Sequence, residues 1–352
     1  MIAVAGECSW VARTSRAMTG KNASMLRRLL LILAALSLAA CAPAVQRAWT
    51  PPAAFTGPSL EPDAFISFDG ARLGLQRWTP PGDPWAVIVG VHGMDDYANA
   101  FHLAGPYWAK DGIATLAYDQ RGFGRSPERG VWGGDKLMTA DLRTLVSLAH
   151  QRYPHAVIAV VGESMGGSVA VEAFASDNPP VADRLVLISP GVWGWSTQPL
   201  PYKTALWLVA HLDGPMQVNP PDFLTSKIHP SDNIDELRAM GRDPLEIWGA
   251  RADALYGLVA TMERASREVG QIQVPLIYLA GAHDEIIPVP SHFKAAKGLG
   301  PTARSAFYAN GWHLLIVDRQ RENVFRDIES FIRDPDAPLP SGTPPIPGAG
   351  GR

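Results

Sequence analysis

The 352-residue chain is 47% hydrophobic and 18% charged, enough to bury a large core and too apolar for a disordered chain. A net charge of -3 leaves no basic excess for gripping phosphates, so nucleic acid is not an expected partner. Two cysteines, Cys8 and Cys41, cannot build a disulfide framework or a thiolate metal site.

Along the chain, residues 1–24 have no apolar period and fit no export pattern, so Met25 is the expected initiator. Arg27 and Arg28 then precede an uncharged run, Leu29 to Leu38. A basic start and a short apolar stretch describe an export signal over 25–40, and the stretch is too short to span a bilayer comfortably. It ends Leu38-Ala39-Ala40-Cys41, which resembles a bacterial lipobox. That resemblance implies a lipid on Cys41 and a mature chain that starts there. Ala42 stands where an aspartate would hold a lipoprotein at the inner membrane in Gram-negative sorting. The expected address is therefore the outer membrane, facing the periplasm. Loss of residues 1–40 removes five basic residues and one acidic one and leaves a net charge of -7. Membrane attachment then rests on the lipid and not on a basic patch.

Residues 41–62 include Pro43, Pro51, Pro52, Pro58 and Pro62 and read as a tether. Phe65–Phe68 and Leu73–Trp78, either side of Asp69-Gly70, predict a hairpin. Trp85–Val91, Ile113–Tyr118, Ala156–Gly162, Arg184–Ser189, Val274–Ala280 and Ala303–Ala309 are continuous apolar runs, as expected of strands buried on both faces. Lys136–Tyr153 and Gln320–Ile332 have helical spacing. The alternation predicts a mostly parallel sheet covered by helices on both faces, an α/β domain over 63–333. From Pro190 to about Gly270 the rhythm breaks into helical pieces, which reads as a cap inserted after the sixth strand. The last 19 residues, from Asp334, hold six prolines and four glycines and are expected to be disordered.

Gly162-Glu163-Ser164-Met165-Gly166 follows a predicted strand and opens a helix, the setting of a nucleophile elbow. A serine hydroxyl needs a base, and the base needs an orienting acid. Asp284 and His313 follow successive predicted strands and come in the chain order this architecture uses. They are the expected acid and base, with Glu285 the competing acid. His102, His150, His155, His211, His229 and His292 have no such placement and read as surface or structural. His283 reads as a loop residue and His92 as a brace for its turn. Leu206, Trp207 and Val209, in the apolar run Thr204–Leu212, are candidates for an acyl tunnel leading to Ser164.

His92-Gly93-Met94, Asp119 to Ser126 (D-Q-R-G-F-G-R-S), G-E-S-M-G-G, G-A-H-D-x-x-x-P and Gly311-Trp312-His313 together resemble the monoacylglycerol lipase and lysophospholipase branch of the α/β-hydrolases. The same sequence family is also labelled serine aminopeptidase-like. The similarity spans Ala64 to Arg333. It implies an α/β-hydrolase fold, oxyanion-hole N–H groups on Met94 and Met165, and a bracing role for 119–126. Asp95 and Asp96 depart from the loops that relatives often carry after the H-G turn. The activity implied is ester hydrolysis of a monoacyl lipid or small ester, through an acyl-enzyme and without metal or cofactor. An aminopeptidase would need a carboxylate cluster for a free amine, with Asp213, Asp222, Asp232, Asp235, Glu236 and Asp253 as candidates. A binding lipoprotein without catalysis is the reading from another class.

Overall fold

The computed structural model describes residues 24–25, 27–28, 42–219 and 228–351. The proposed lipid site, Cys41, and the candidate amine ligand Asp222 lie outside the described residues.

In chain order, β1 (Ser59–Leu60), β2 (Ala64–Ile66), β3 (Arg72–Trp78) and β4 (Ala86–Val91) come first. Then follow α1 (Ala104–Lys110), β5 (Ile113–Tyr118), α2 (Asp135–Arg152), β6 (Val157–Glu163), α3 (Met165–Phe174) and β7 (Arg184–Ile188). The next stretch carries α4 (Leu200–Leu212), β8 (Gln217–Val218), α5 (Ile234–Met240), β9 (Ala250–Arg251) and α6 (Ala252–Glu268). β10 (Leu276–Gly281), α7 (Val289–Ala296), β11 (Ala303–Tyr308) and α8 (Arg321–Arg333) complete the body.

The main sheet runs β1-β2-β3-β5-β4-β6-β7-β10-β11. β1 to β3 are antiparallel, β3 is antiparallel to β5, and the remaining strands are parallel. β4 shows why its sequence lacks alternation. Val87, Val89 and Val91 enter the core on one face, and Ala86 and Ile88 enter the core on the other. Both faces are dry, so both positions of the pleat must be apolar. α2, α3 and α6 cover the first face, while α1 and α8 cover the second with Trp108, Phe325 and Phe331.

Four expectations need correction. The two-residue β1 makes Arg184–Ile188 the seventh strand, so the insertion follows the seventh. The insertion is not purely helical, because β8 and β9 pair as a small antiparallel ribbon. It also ends near Arg251 and not at 270: α6 packs on α3, with Val259, Met262 and Ala265 in the main core. Finally, neither end of the body is loose. In the expected tether, the buried Gln46 sends its backbone N–H to Trp132 and its amide to the Val131 carbonyl. In the proline-rich tail, the Pro344 carbonyl accepts the Phe307 N–H at 2.8 Å. The Ile346 N–H reaches Ser305 Oγ at 3.1 Å, and its side chain is 1% exposed within the core. Proline lacks an N–H but keeps its carbonyl, so such a segment can still close the edge of β11.

Candidate active site

Ser164 stands between β6 and α3 at φ 51°, ψ -117°, a strained backbone for a non-glycine residue. Its neighbours hold that strain in place. The Ser164 N–H donates to Ile188 O at 2.9 Å, and its carbonyl accepts from the Gly191 N–H at 2.8 Å. Gly166 has to be glycine, because a Cβ there would sit 2.1 Å from Val91 O. Gly93 lies so near Ser164 that its own Cβ would touch Ser164 Cβ at 3.4 Å. This brings the Gly93–Met94 peptide beside the serine, while Met165 is the first residue of α3. The two residues implied as oxyanion donors thus flank Ser164, and a helix N-terminus adds favourable polarity for developing negative charge.

His313 Nε2 is 2.9 Å from Ser164 Oγ, and His313 Nδ1 is 2.8 Å from Asp284 Oδ2. The structure therefore brings together the serine, histidine and aspartate singled out from sequence, and the latter two follow the carboxyl ends of β11 and β10. Glu285 turns away and accepts the His229 N–H at 2.7 Å. Asp284 is buried, which alone would raise its pKa. The His313 charge and hydrogen bonds from His292 and His313 outweigh burial and hold the carboxyl well below the usual range. His283 stacks on Trp312.

His292, which from sequence reads as surface or structural, stands against the acid. It is fully buried on α7, with Nε2 3.0 Å from Asp284 Oδ2 and Nδ1 2.7 Å from the Tyr278 hydroxyl. Its only signal in the sequence is its position one turn into the helix after the acid loop.

The Asp119–Ser126 segment is hydrogen-bonded to the His92–Gly93 turn and the loop after it. The Gln120 N–H donates to His92 Nε2 at 2.9 Å, and the Gln120 amide donates to His92 O at 2.8 Å. Asp119 accepts from the Ala98 N–H and from Arg125. Arg121, with no exposure, is held by Asp69 at 2.8 Å and by Asp141 at 2.7 Å. His92 is buried, which pushes its pKa down to about 4, so it is neutral. With Nε2 accepting from Gln120, Nδ1 carries the proton and donates to Gly93 O at 2.7 Å.

A cavity of about 410 Å³ opens on Ser164 and His313. Val218, Ile247, Trp248, Leu255 and Leu314 give it apolar walls. Leu206, Trp207 and Val209 do not line it. α4 lies on α6, Leu206 packs toward the main core, and Trp207 faces a separate groove with Trp195 and Tyr256. The tunnel assignment fails because an apolar helix can serve the body or the surface as readily as a site. Carboxyl groups also reach this cavity: Asp95, Asp96, Glu163 and Glu246. Burial pushes Asp95 up to about 7 and Glu246, with Asp96 beside it, up to about 10. Burial also carries Glu163 well above the usual range. Among the described residues, none of the acids singled out from sequence for amine binding lines this cavity. Asp253 pairs with Arg251, Asp235 with Arg238, Glu236 with His102, and Asp232 accepts the Arg319 N–H.

Known proteins resemble this chain. The chain is 28% identical over 282 residues to the monoacylglycerol lipase of Mycolicibacterium smegmatis, covering 76% of this chain and 95% of that one. It is 26% identical to the human monoglyceride lipase, covering 80% and 93% of the two chains. Among solved structures, a soluble variant of the Saccharomyces cerevisiae monoglyceride lipase matches with a TM-score of 0.65 at 16% identity, over 81% of this chain and 97% of that one. A Bacillus coagulans carboxyl esterase matches with a TM-score of 0.61 at 20% identity, over 79% and 99%. These likenesses establish the α/β-hydrolase fold. The sequence profile of the Hydrolase_4 family, described as serine aminopeptidase S33, matches residues 82–320, and the chain belongs to that family.

Proposed function

We propose that this chain is a serine hydrolase of carboxylic esters, acting on monoacylglycerol-like substrates from a lipid anchor at Cys41. One observation carries the catalytic part: the unbroken relay Ser164–His313–Asp284, with contacts of 2.9 and 2.8 Å, at the mouth of an apolar-walled cavity. His313 takes the Ser164 proton as the hydroxyl oxygen attacks the ester carbonyl. The tetrahedral oxyanion draws on the Met94 and Met165 N–H groups. His313 then gives that proton to the leaving alcohol oxygen as the C–O bond breaks. Water, activated by the same imidazole, attacks the acyl-serine and releases the acid. The named relatives in bacteria and humans support the substrate class. Leu29–Leu38 and the lipobox-like sequence before Cys41 support the anchor, and outer-membrane placement follows from Ala42.

A second reading, an aminopeptidase, is favoured by the carboxyl groups around the cavity. The raised pKa of Glu246, about 10, tells against it, because that carboxyl is protonated near neutrality. Neutral carboxyls suit the hydroxyls of a polyol leaving group better than an ammonium.

The test sets a series of monoacyl esters of graded chain length beside aminoacyl amides, with Ser164→Ala as control. Expected are ester turnover that rises with chain length until the cavity is filled, and a loss of several orders of magnitude in the variant. A fluorophosphonate probe should label the wild type alone. Labelling that survives Ser164→Ala, or amide turnover exceeding ester turnover, would overturn the proposal.

A further inference from the structure

Asp284 uses every acceptor position a carboxylate has. Oδ1 accepts the Ile286 and Ile287 N–H groups at 2.9 and 2.8 Å. Oδ2 faces two imidazoles, His313 at 2.8 Å and His292 at 3.0 Å. Four acceptor sites meet four donors, so the carboxylate can neither rotate nor keep an unused lone pair in a dry setting.

The proton on His292 is fixed from behind. Tyr278 is fully buried and its phenol is held well above the usual range by that burial. It stays an O–H donor, and its partner at 2.7 Å is His292 Nδ1. Nδ1 therefore accepts, and Nε2 bears the hydrogen that points at Asp284. Tyr278 lies on β10, Asp284 in the loop that follows, and His292 on α7. One strand–loop–helix unit thus orients the acid toward His313, which comes from the loop after the next strand.

Resting on the ester-hydrolase reading above, we propose that His292, held by Tyr278, is a positioning residue for the relay. It shares Asp284 Oδ2 with His313 and so sets how strongly that oxygen holds the His313 proton. Two donors on one oxygen divide its charge. With His292 present, Asp284 holds the His313 N–H less strongly than it would alone. Other titratable groups near this unit have their own partners. Asp318, raised to about 6 by burial, accepts the Trp312 N–H and the Ser231 hydroxyl. Glu163, at the end of β6, is the exception: its Oε1 is buried without a hydrogen-bond partner, and burial pushes its carboxyl up. From α6, Glu263 is engaged by the Ser196 N–H and Arg267, and Lys294 on α7 points to Ser196.

The experiment compares pH profiles of kcat/KM on a soluble short-chain ester for wild type, His292→Phe, His292→Gln and Tyr278→Phe. The downfield proton resonance of His313 Nδ1–H is recorded in parallel. In His292→Phe the acid limb should move up by about half a unit to one unit. Plateau kcat should fall severalfold with KM unchanged, and the resonance should shift. His292→Gln places an amide donor where Nε2 stood and should return the limb toward wild type. Tyr278→Phe should give a smaller shift of the same sign. A lower melting temperature with limb and resonance both unmoved would make His292 a packing residue and overturn the proposal. Should His292→Phe fail to fold, a wild-type limb in Tyr278→Phe overturns it equally. If no ester is turned over, the pH dependence of fluorophosphonate labelling at Ser164 reads the same limb, which separates this proposal from the substrate assignment.

Discussion

His92→Ala tests whether the residues behind the oxyanion hole act on turnover or only on stability. His92 has no exposure and makes two contacts across the loop, to Gly93 O at 2.7 Å and from the Gln120 N–H at 2.9 Å. Truncation leaves the Gln120 N–H buried without a partner, a loss of about 1–3 kcal/mol. It also frees the Gly93 carbonyl, and the peptide that carries this carbonyl carries the Met94 N–H on its other end. Loss of one oxyanion donor costs about 100- to 1000-fold in turnover. A loosened donor should cost less, so kcat is expected to fall roughly 10- to 100-fold with little change in KM, the pattern of an interaction made only in the transition state. His92→Asn keeps a donor near Gly93 O but has no acceptor long enough for Gln120, and should fall between Ala and wild type. Steady-state kinetics on a short-chain ester, beside thermal unfolding, decide the matter. A variant that loses the expected stability yet turns over at the wild-type rate would refute this account of the loop.

Two further outcomes follow from buried groups. Ile346→Ala should cost about 2–4 kcal/mol, as large-to-small core changes do, and lower the melting temperature by several degrees without changing kcat at 25 °C; an unchanged melting temperature on deleting residues after Asp334 would mean the tail is not seated. Glu246 is buried beside Asp96 and its pKa is raised to about 10, so between the unfolded value of ~4.3 and 10 the folded state holds a proton that the unfolded chain releases. That stability is present at low pH and is lost as pH rises through this window. Glu246→Gln should therefore flatten the decline in melting temperature between pH 6 and 9, and a constant offset from wild type across that range would contradict the raised pKa.

Much of the body was legible because its chemistry repeats at every position of an element. β4 and β6 must be apolar on both faces, so Trp85–Val91 and Ala156–Gly162 announce themselves as unbroken runs. α2 and α8 show one apolar stripe each. The two-residue strands β1, β8 and β9 have too few positions for any period to register. α6 was read as cap because amphipathic spacing looks the same whether a helix packs on an insertion or on α3. The tail differs for a related reason: proline removes an N–H but not a carbonyl, and Pro344 and Ile346 supply anchors that composition averages away.

The site divides along the same line between local and distant constraint. Ser164 is legible because its strain is local: Gly162 and Gly166 sit within two residues and are required by backbone atoms that approach too closely for a Cβ. Asp284 and His313 are legible because both follow strand ends, so topology limits where they can go. The cavity wall has neither constraint. Val218, Ile247, Trp248 and Leu255 come from a ribbon, a loop and the start of α6, and each has an ordinary apolar neighbourhood in sequence. Trp207 looked the better candidate because its helix is more apolar, yet that property reports what α4 excludes from water and not what it faces. His292 lies between these cases. Its distance from Asp284 is set by where α7 begins, and Pro288 and Pro290 fix that start.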